Sequence, residues 1–304
     1  MLVIAVIINP ISGTGGRPEI AARREAFAKT LLRERQIDGQ VFVTQRNRHA
    51  CELTRAALAA GASLVVAWGG DGTVNEVASE SAFGSAAVAI VPSGSGNGLA
   101  RELGIPSDPV AAFGVAFDGH DTVIDAGEVD GRLFFNIAGI GLDARVAHEF
   151  AAKGLLKRGF AQYVKIAAKE LFTFEADEHT VVADGVTVIR TRALLIALAN
   201  GTQYGNGARI APHARLDDGR LDVVVVQDRS PLETLLETPW LFAGRVSRIR
   251  GITTRSASQI EITSARPVIY HIDGEPFVGG ASLKARVRPK ALRVRVPSSE
   301  PGLA

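Results

Sequence analysis

Over about the first 120 residues, short unbroken apolar runs alternate with amphipathic stretches, the pattern of βαβ units. Residues 2–8 form a β-branched run of the kind buried on both faces of a parallel sheet. A Gly-rich turn over 10–16 follows, and the spacing then predicts a helix over 17–35. The same reading predicts strands at 41–44, 63–68 and 87–91, helices at 48–60 and from Val74, and a short helix after Asn97. From Thr122 to Pro297 the period falls to two, with turn signals at Asp130-Gly131, Asp218-Gly219 and Asp273-Gly274. That pattern predicts antiparallel strands in a sandwich, interrupted by helices near 155–174 and near 231–244. The expected organisation is an α/β domain over 1–121, a β-sandwich over 122–297 and a tail over 298–304.

Composition narrows the function without naming it. A chain of 304 residues can bury two modest cores, and 46% hydrophobic with 22% charged residues are ordinary globular values. A formal net charge of +2 is too small for wholesale nucleic-acid binding, so no nucleic-acid partner is expected. Cys51 is the single cysteine, which excludes an internal disulfide and fits a reducing compartment. No basic segment precedes the first apolar run, and no run approaches the roughly 18 apolar residues of a spanning helix. A soluble cytoplasmic protein is therefore expected, with contact to the inner membrane face left open. The six histidines, His271 among them, lack metal-ligand spacing, and most are expected at the surface.

The most informative stretch is Gly69-Gly70-Asp71-Gly72-Thr73-Val74-Asn75-Glu76-Val77, directly after the third strand. Its glycines let backbone N–H groups approach a ligand, and the following helix N-terminus favours phosphate. Thr73 and Glu76 have capping-box spacing. Asp71 would repel phosphates unless a cation lies between, which argues for Mg²⁺. A plain tight turn with a helix cap is the competing reading. Asn9-Pro10-Ile11-Ser12-Gly13 follows the first strand and Pro92-Ser93-Gly94-Ser95-Gly96-Asn97 the fourth. Three such loops at the carboxyl edge of one sheet fit a nucleotide site better than three unrelated turns. Neither G-x-x-x-x-G-K-[ST] nor a G-x-G-x-x-G after the first strand is present, so Walker-type and Rossmann dinucleotide sites are not expected.

With these loops, residues 135–141, Asn200-Gly201, Ala211-Pro212, Leu216-Asp217-Asp218-Gly219 and Asp273-Gly274-Glu275-Pro276, the chain resembles the diacylglycerol kinase catalytic family, in particular its soluble bacterial members. The resemblance implies a nucleotide domain similar to those of NAD kinases and phosphofructokinases, then a β-sandwich, with the active site in the cleft between them. It implies ATP and Mg²⁺ as cofactors and a lipid hydroxyl as acceptor. Nucleotide contacts carry over to Asn9, Pro10, Ile11, Ser12, Gly13, Thr44, Gly69, Gly70, Asp71, Gly72, Thr73, Val74, Asn75 and Ser95. A metal site maps onto Asp218 with the carbonyls of Arg215 and Arg220, where a bare hairpin turn is the other reading. The resemblance assigns the general base to Glu275 and the metal-organising carboxylate to Asp71; read without it, Glu275 is an exposed hairpin residue. The Gly94-Ser95-Gly96-Asn97 loop departs from the Gly-Thr common in the family and is similar to that of sphingosine-type kinases, which leaves the lipid open.

A lipid acceptor requires a surface that meets a bilayer. On the helix near 155–174, Arg158, Lys165 and Lys169 share one face, with Phe160, Val164, Ala167 and Leu171 opposite; Lys153 and Lys157 fall in the same short segment. This is either a membrane-facing basic helix or an amphipathic helix packed on the sandwich. Arg245, Arg248 and Arg250 near Trp240 and Phe242 pose the same choice. An NAD kinase and a catalytically silent nucleotide- or lipid-sensing module are the other functional readings. A homo-oligomer is compatible with the sequence without being specified by it.

Overall fold

The computed structural model describes residues 3–13, 18–152, 160–204 and 207–298. Residues 14–16 of the expected first turn, Lys153, Lys157, Arg158 and most of the tail lie outside them, as do the side chains of Phe160 and Tyr163. The chain divides into two compact units, Met1–Ile124 with Lys290–Ala304, and Asp125–Pro289.

The first unit runs β1 (Ile4–Ile8), α1 (Pro18–Glu34), β2 (Gly39–Val43), α2 (His49–Ala59), β3 (Leu64–Gly69), α3 (Asp71–Ser81), β4 (Ala87–Pro92), α4 (Gly98–Glu102) and α5 (Pro109–Asp118). β4, β3, β1 and β2 lie side by side in that order, all parallel. Every residue of β1, β3 and β4 is buried, as expected where helices cover both faces of a parallel sheet. Asp108 caps α5 by accepting from the Ala111 N–H at 2.9 Å, with Pro109 in the first turn.

The second unit begins within β5 (His120–Val129) and continues through β6 (Arg132–Phe134), β7 (Ile137–Gly141), α6 (Leu142–Ala152), α7 (Phe160–Thr173), β8 (Glu178–Ala183), β9 (Val186–Ala199), β10 (Leu221–Gln227), α8 (Pro231–Phe242), β11 (Ile252–Ala257), β12 (Gln259–Ser264), β13 (Ile269–Ile272), β14 (Glu275–Val278) and β15 (Ser282–Val296). Antiparallel pairing gives one layer β14-β13-β7-β9-β10-β11 and another of β8, β12 and β15 with β5 and β6. The 14-residue β9 serves both, pairing β8 with its first half and β7 and β10 with its second. Period-two alternation divides its side chains: Ile196 and Leu198 enter the sandwich core, whereas Ala197 and Ala199 face a second cluster with Leu171 of α7 and Leu241 of α8.

Helix α6 interrupts the strands of this unit in addition to α7 and α8, and it follows β7 without a linker, with Gly141 at φ 101° closing the strand. The last strand spans both units: from Lys290 it belongs to the first, where Val294 lies parallel to Val88 of β4.

Candidate active site

Parallel pairing brings the carboxyl ends of β1, β3 and β4 to one edge, and the three Gly-rich loops meet there backbone against backbone. Gly13 adopts φ 74°, and a Cβ on it would lie 2.2 Å from the Ser93 carbonyl oxygen. A Cβ on Gly94 would lie 2.6 Å from Gly70 Cα, and one on Gly70 would lie 3.1 Å from both Gly94 Cα and Ser12 Oγ. These glycines are therefore required by loop-to-loop packing before any ligand is considered. Gly72 is different: no atom lies within 4 Å of where its Cβ would be, so its backbone is open to an incoming group.

Side chains lock the same edge. Asn9 donates through Nδ2 to Thr73 Oγ1 at 2.8 Å, while its Oδ1 accepts from the Ile11 N–H. Arg24 of α1 donates to the carbonyls of Asn9 and Ser12 at 2.9 and 3.1 Å and lies over the Trp68 ring. Burial lowers its pKa from the ordinary arginine value. Thr44 is buried beside the end of β1, its N–H donating to the Ile8 carbonyl. Ser95 is exposed on the loop after β4.

Asp71 opens α3 and accepts from the N–H groups of Asn97 at 2.8 Å and Gly98 at 2.6 Å, so its carboxylate joins the loop after β3 to the loop after β4. The expected capping box does not form. The helix begins at Asp71 with Gly70 as N-cap, which frees Thr73 to bond Asn9 and sends Glu76 to the Ala50 N–H at the start of α2, 3.1 Å away.

In the second unit, Asp273 and Gly274 join β13 to β14 in a two-residue turn with φ 46° and 87°, the two positive values of a type I′ hairpin. The Asp273 carboxylate is not a bystander. It accepts from the N–H groups of Phe135, Asn136 and Ile137 at 3.0, 3.1 and 3.0 Å. Asn200 adds bonds from Nδ2 to the carbonyls of Phe135 and Asp125, and Asn136 Nδ2 reaches the Gln203 carbonyl. Glu275, the first residue of β14, is partly exposed, and among the described residues its carboxylate has no hydrogen-bonding or ion-pair partner.

Behind this turn lies a polar network absent from the sequence reading. His271 is buried, not at the surface, and so is His179. The Gly274 N–H donates to His271 Nδ1 at 3.3 Å, which places the ring proton on Nε2, 3.2 Å from Asp143 Oδ2. Tyr204 Oη donates to the same oxygen at 2.8 Å. A Cβ on Gly139 would lie 2.0 Å from that oxygen, so only glycine fits there. The available sequence signal was alternation: Tyr270 and Ile272 enter the sandwich core, which turns His271 to the other face.

The Asp218 turn is closed by its own carboxylate, which accepts from the Arg220 N–H at 3.0 Å. The Arg220 guanidinium is drawn away to Asp184 and Ser256, and the Arg215 guanidinium to Asp217. Burial first, then the charge of Asp218, raises the pKa of the neighbouring Asp222. No group of three or more metal-ligating side chains occurs among the described residues, so a cation at this turn would take mostly backbone carbonyls. The helix α7 also differs from its expected face. Ile166, Glu170 and Leu171 are buried, while Val164, Lys165, Lys169 and Phe172 are exposed. Glu170 tolerates burial because Arg145 pairs with it at 2.8 Å.

Comparison with known proteins supplies the family. Residues 3–129 match the diacylglycerol kinase catalytic domain, and residues 136–296 match the YegS C-terminal NAD kinase beta sandwich-like domain. The chain is 33% identical over 288 residues to a Pseudomonas aeruginosa protein described as probable lipid kinase YegS-like, covering 94% of this chain and 90% of that one. A Klebsiella pneumoniae protein of the same description is 30% identical over 277 residues, covering 90% and 91%. A crystal structure of a diacylglycerol kinase from Bacillus anthracis superposes with TM-score 0.70 at 19% identity over 100% of this chain and 98% of that one. An NAD kinase from Archaeoglobus fulgidus in complex with ATP shares the fold with TM-score 0.53 at 13% identity, covering 96% and 93%. Two domain matches, in order along nearly the whole chain, place this protein in the YegS-like lipid kinase family, with a diacylglycerol kinase catalytic domain followed by an NAD kinase-like β-sandwich.

Proposed function

We propose that this lipid kinase transfers the γ-phosphoryl group of ATP, with Mg²⁺, onto a hydroxyl of diacylglycerol or a related glycerolipid or sphingoid acceptor. The observation that carries the reading is the loop edge of the first unit, where Gly13, Gly70 and Gly94 interlock and leave Gly72 open at the start of α3. A helix N-terminus with accessible N–H groups suits a phosphate chain. Asp71, whose carboxylate joins the loop after β3 to the loop after β4 at the start of α3, is the residue that would hold a substrate-borne Mg²⁺ there. Mg²⁺ is commonly held by one or two carboxylates together with substrate phosphates, and it would neutralise charge on the transferring group. Glu275 would accept the acceptor hydroxyl's proton, its carboxylate without a partner among the described residues and on a turn fixed by Asp273. No described helix is long and apolar enough to cross a membrane.

The test is phosphorylation by purified protein with labelled ATP and Mg²⁺ of a panel containing diacylglycerol, monoacylglycerol, phosphatidylglycerol, a sphingoid base and NAD. The expected result is label in a lipid, lost with Asp71→Asn. Glu275→Gln should lower kcat by about 10²–10⁴ while leaving ATP affinity intact. Label in NAD alone would overturn the lipid acceptor, and ATP binding without turnover on any acceptor would overturn the kinase reading.

A further inference from the structure

The helix α8 is inverted with respect to an ordinary surface helix. None of its twelve residues is buried, and Leu232, Leu235, Leu236 and Phe242 are 65%, 41%, 70% and 45% exposed. With the exposed Pro239 they fall at i, i+3, i+4, i+7 and i+10, which is a single stripe. The opposite side of the helix already has its place, since Leu241 joins the apolar cluster on the outer face of β9 and β10. The apolar stripe therefore points away from the sheet.

The charges around the stripe are sorted. The acidic residues of α8 are occupied inside the unit: Glu233 completes a capping box with Ser230, and Glu237 pairs with Arg229 at 2.6 Å. At the other end, Arg245, Arg248 and Arg250 are exposed, and none of the described ion pairs uses them. The Arg248 and Arg245 guanidinium carbons lie 4.9 and 6.0 Å from the centre of the Trp240 ring. An apolar stripe edged by tryptophan and arginine suits the boundary between acyl chains and anionic headgroups. On the same face of the sheet α7 exposes Val164, Lys165, Lys169 and Phe172, and its Leu171 reaches the same cluster as Leu241.

We infer that the outward face of α8, with the arginines that follow it, docks the protein on an anionic bilayer. The occupant is a lipid surface for two reasons. A lipid kinase without a described membrane-crossing helix must meet its acceptor at a bilayer. Arg245, Arg248 and Arg250, used by none of the described ion pairs, also complement the negative charge of anionic headgroups. This inference deepens the proposed function and rests on it for its biological purpose, but its physical test is separate.

The test is flotation with vesicles of phosphatidylcholine alone and of phosphatidylcholine with one quarter phosphatidylglycerol, together with kinetics. Wild type should float with the anionic vesicles. The double substitution Leu232→Glu with Leu236→Glu should weaken that binding by at least tenfold, and Arg245→Gln with Arg248→Gln should abolish the preference for anionic vesicles. In the leucine variant, KM for acceptor presented in vesicles should rise by a similar factor. Its KM for ATP and its turnover of monomeric dihexanoylglycerol should stay at wild-type values, which also reports that it folds. Flotation of the leucine variant equal to wild type would overturn the inference. So would a wild-type dimer in sedimentation equilibrium that the leucine variant converts to monomer. Wild type that floats but phosphorylates no lipid would refute the proposed function and leave docking standing.

Discussion

The two units solve the same positioning problem with different means. In the first, a parallel sheet delivers three loops to one edge by topology alone, and glycine lets them touch. In the second, antiparallel strands deliver a two-residue hairpin, which by itself would only present Glu275 to solvent. A carboxylate in the turn itself supplies what topology does not: Asp273 fastens the hairpin to the Phe135, Asn136 and Ile137 N–H groups. Glycine at the loops of the first unit is thus a packing requirement, whereas Gly274 meets only a conformational one. No atom lies within 4 Å of its missing Cβ, although its φ is 87°.

The largest effects should break that contrast directly. Gly13→Ala places a Cβ against the Ser93 carbonyl and demands positive φ as well. Strain at such a position costs about 1–3 kcal/mol, and relief must come from separating two loops. ATP affinity should fall by more than about tenfold, 1.4 kcal/mol, in calorimetric titration. Gly274→Asn should be nearly silent in the same titration and cost little stability, because asparagine tolerates the left-handed region. Equal effects of the two substitutions would erase the distinction. Asp273→Ala comes next, with about 3 kcal/mol lost in denaturant unfolding as three N–H groups lose a charged acceptor. Its kcat should fall with ATP affinity unchanged, whereas a purely structural Asp273 would lower active-protein yield and leave kcat per folded molecule alone.

Local punctuation made the first unit legible. Buried strands ending in glycine loops give away both the parallel sheet and the carboxyl edge, and Asn9, Gly70, Asp71 and Thr73 do meet there. Non-local partners were illegible. Nothing in the sequence of α1 marks Arg24 as the residue that holds the loop after β1, because its acceptors are backbone carbonyls more than ten positions away. Thr73 and Glu76 have the right spacing for a capping box, yet each finds a better partner in another element. Helix α6 escaped for a different reason: one glycine with positive φ replaced the turn that usually separates strand from helix. The burial of His271 was not legible, because β13 buries Tyr270, His271 and Ile272 in succession: two enter the sandwich core, while His271 is covered on the opposite face by Asp143, 128 positions away.

A moderate effect should sharpen the comparison at Thr73. Thr73→Val keeps the volume and removes the acceptor of the Asn9 amide. A neutral hydrogen bond of this kind contributes about 1 kcal/mol, so ATP affinity should fall by roughly fivefold with little change in kcat. An unchanged affinity would mean that glycine packing alone sets the loop edge.

The smallest effect tests whether charge pairs in the second unit add to stability beyond the Asp273 anchor. Glu128 at the end of β5 faces Arg286 and Arg288 of β15. Burial pushes its pKa up, but hydrogen bonds from Arg286 and then Arg288 outweigh it, and the folded-state value lies below the ordinary glutamate value. A depressed folded pKa stabilises above the unfolded value of about 4.3, and that stabilisation disappears as pH falls through the lower folded value. Both arginines are well exposed, at 57% and 35%, so solvent screening holds the contribution to about 0.5–1 kcal/mol. Glu128→Gln should lose that amount at neutral pH and nothing below the folded-state pKa, so the wild-type and variant stability curves converge in acid. Curves that stay parallel down to acid pH would assign the loss to packing of the longer arginine stems instead of to charge.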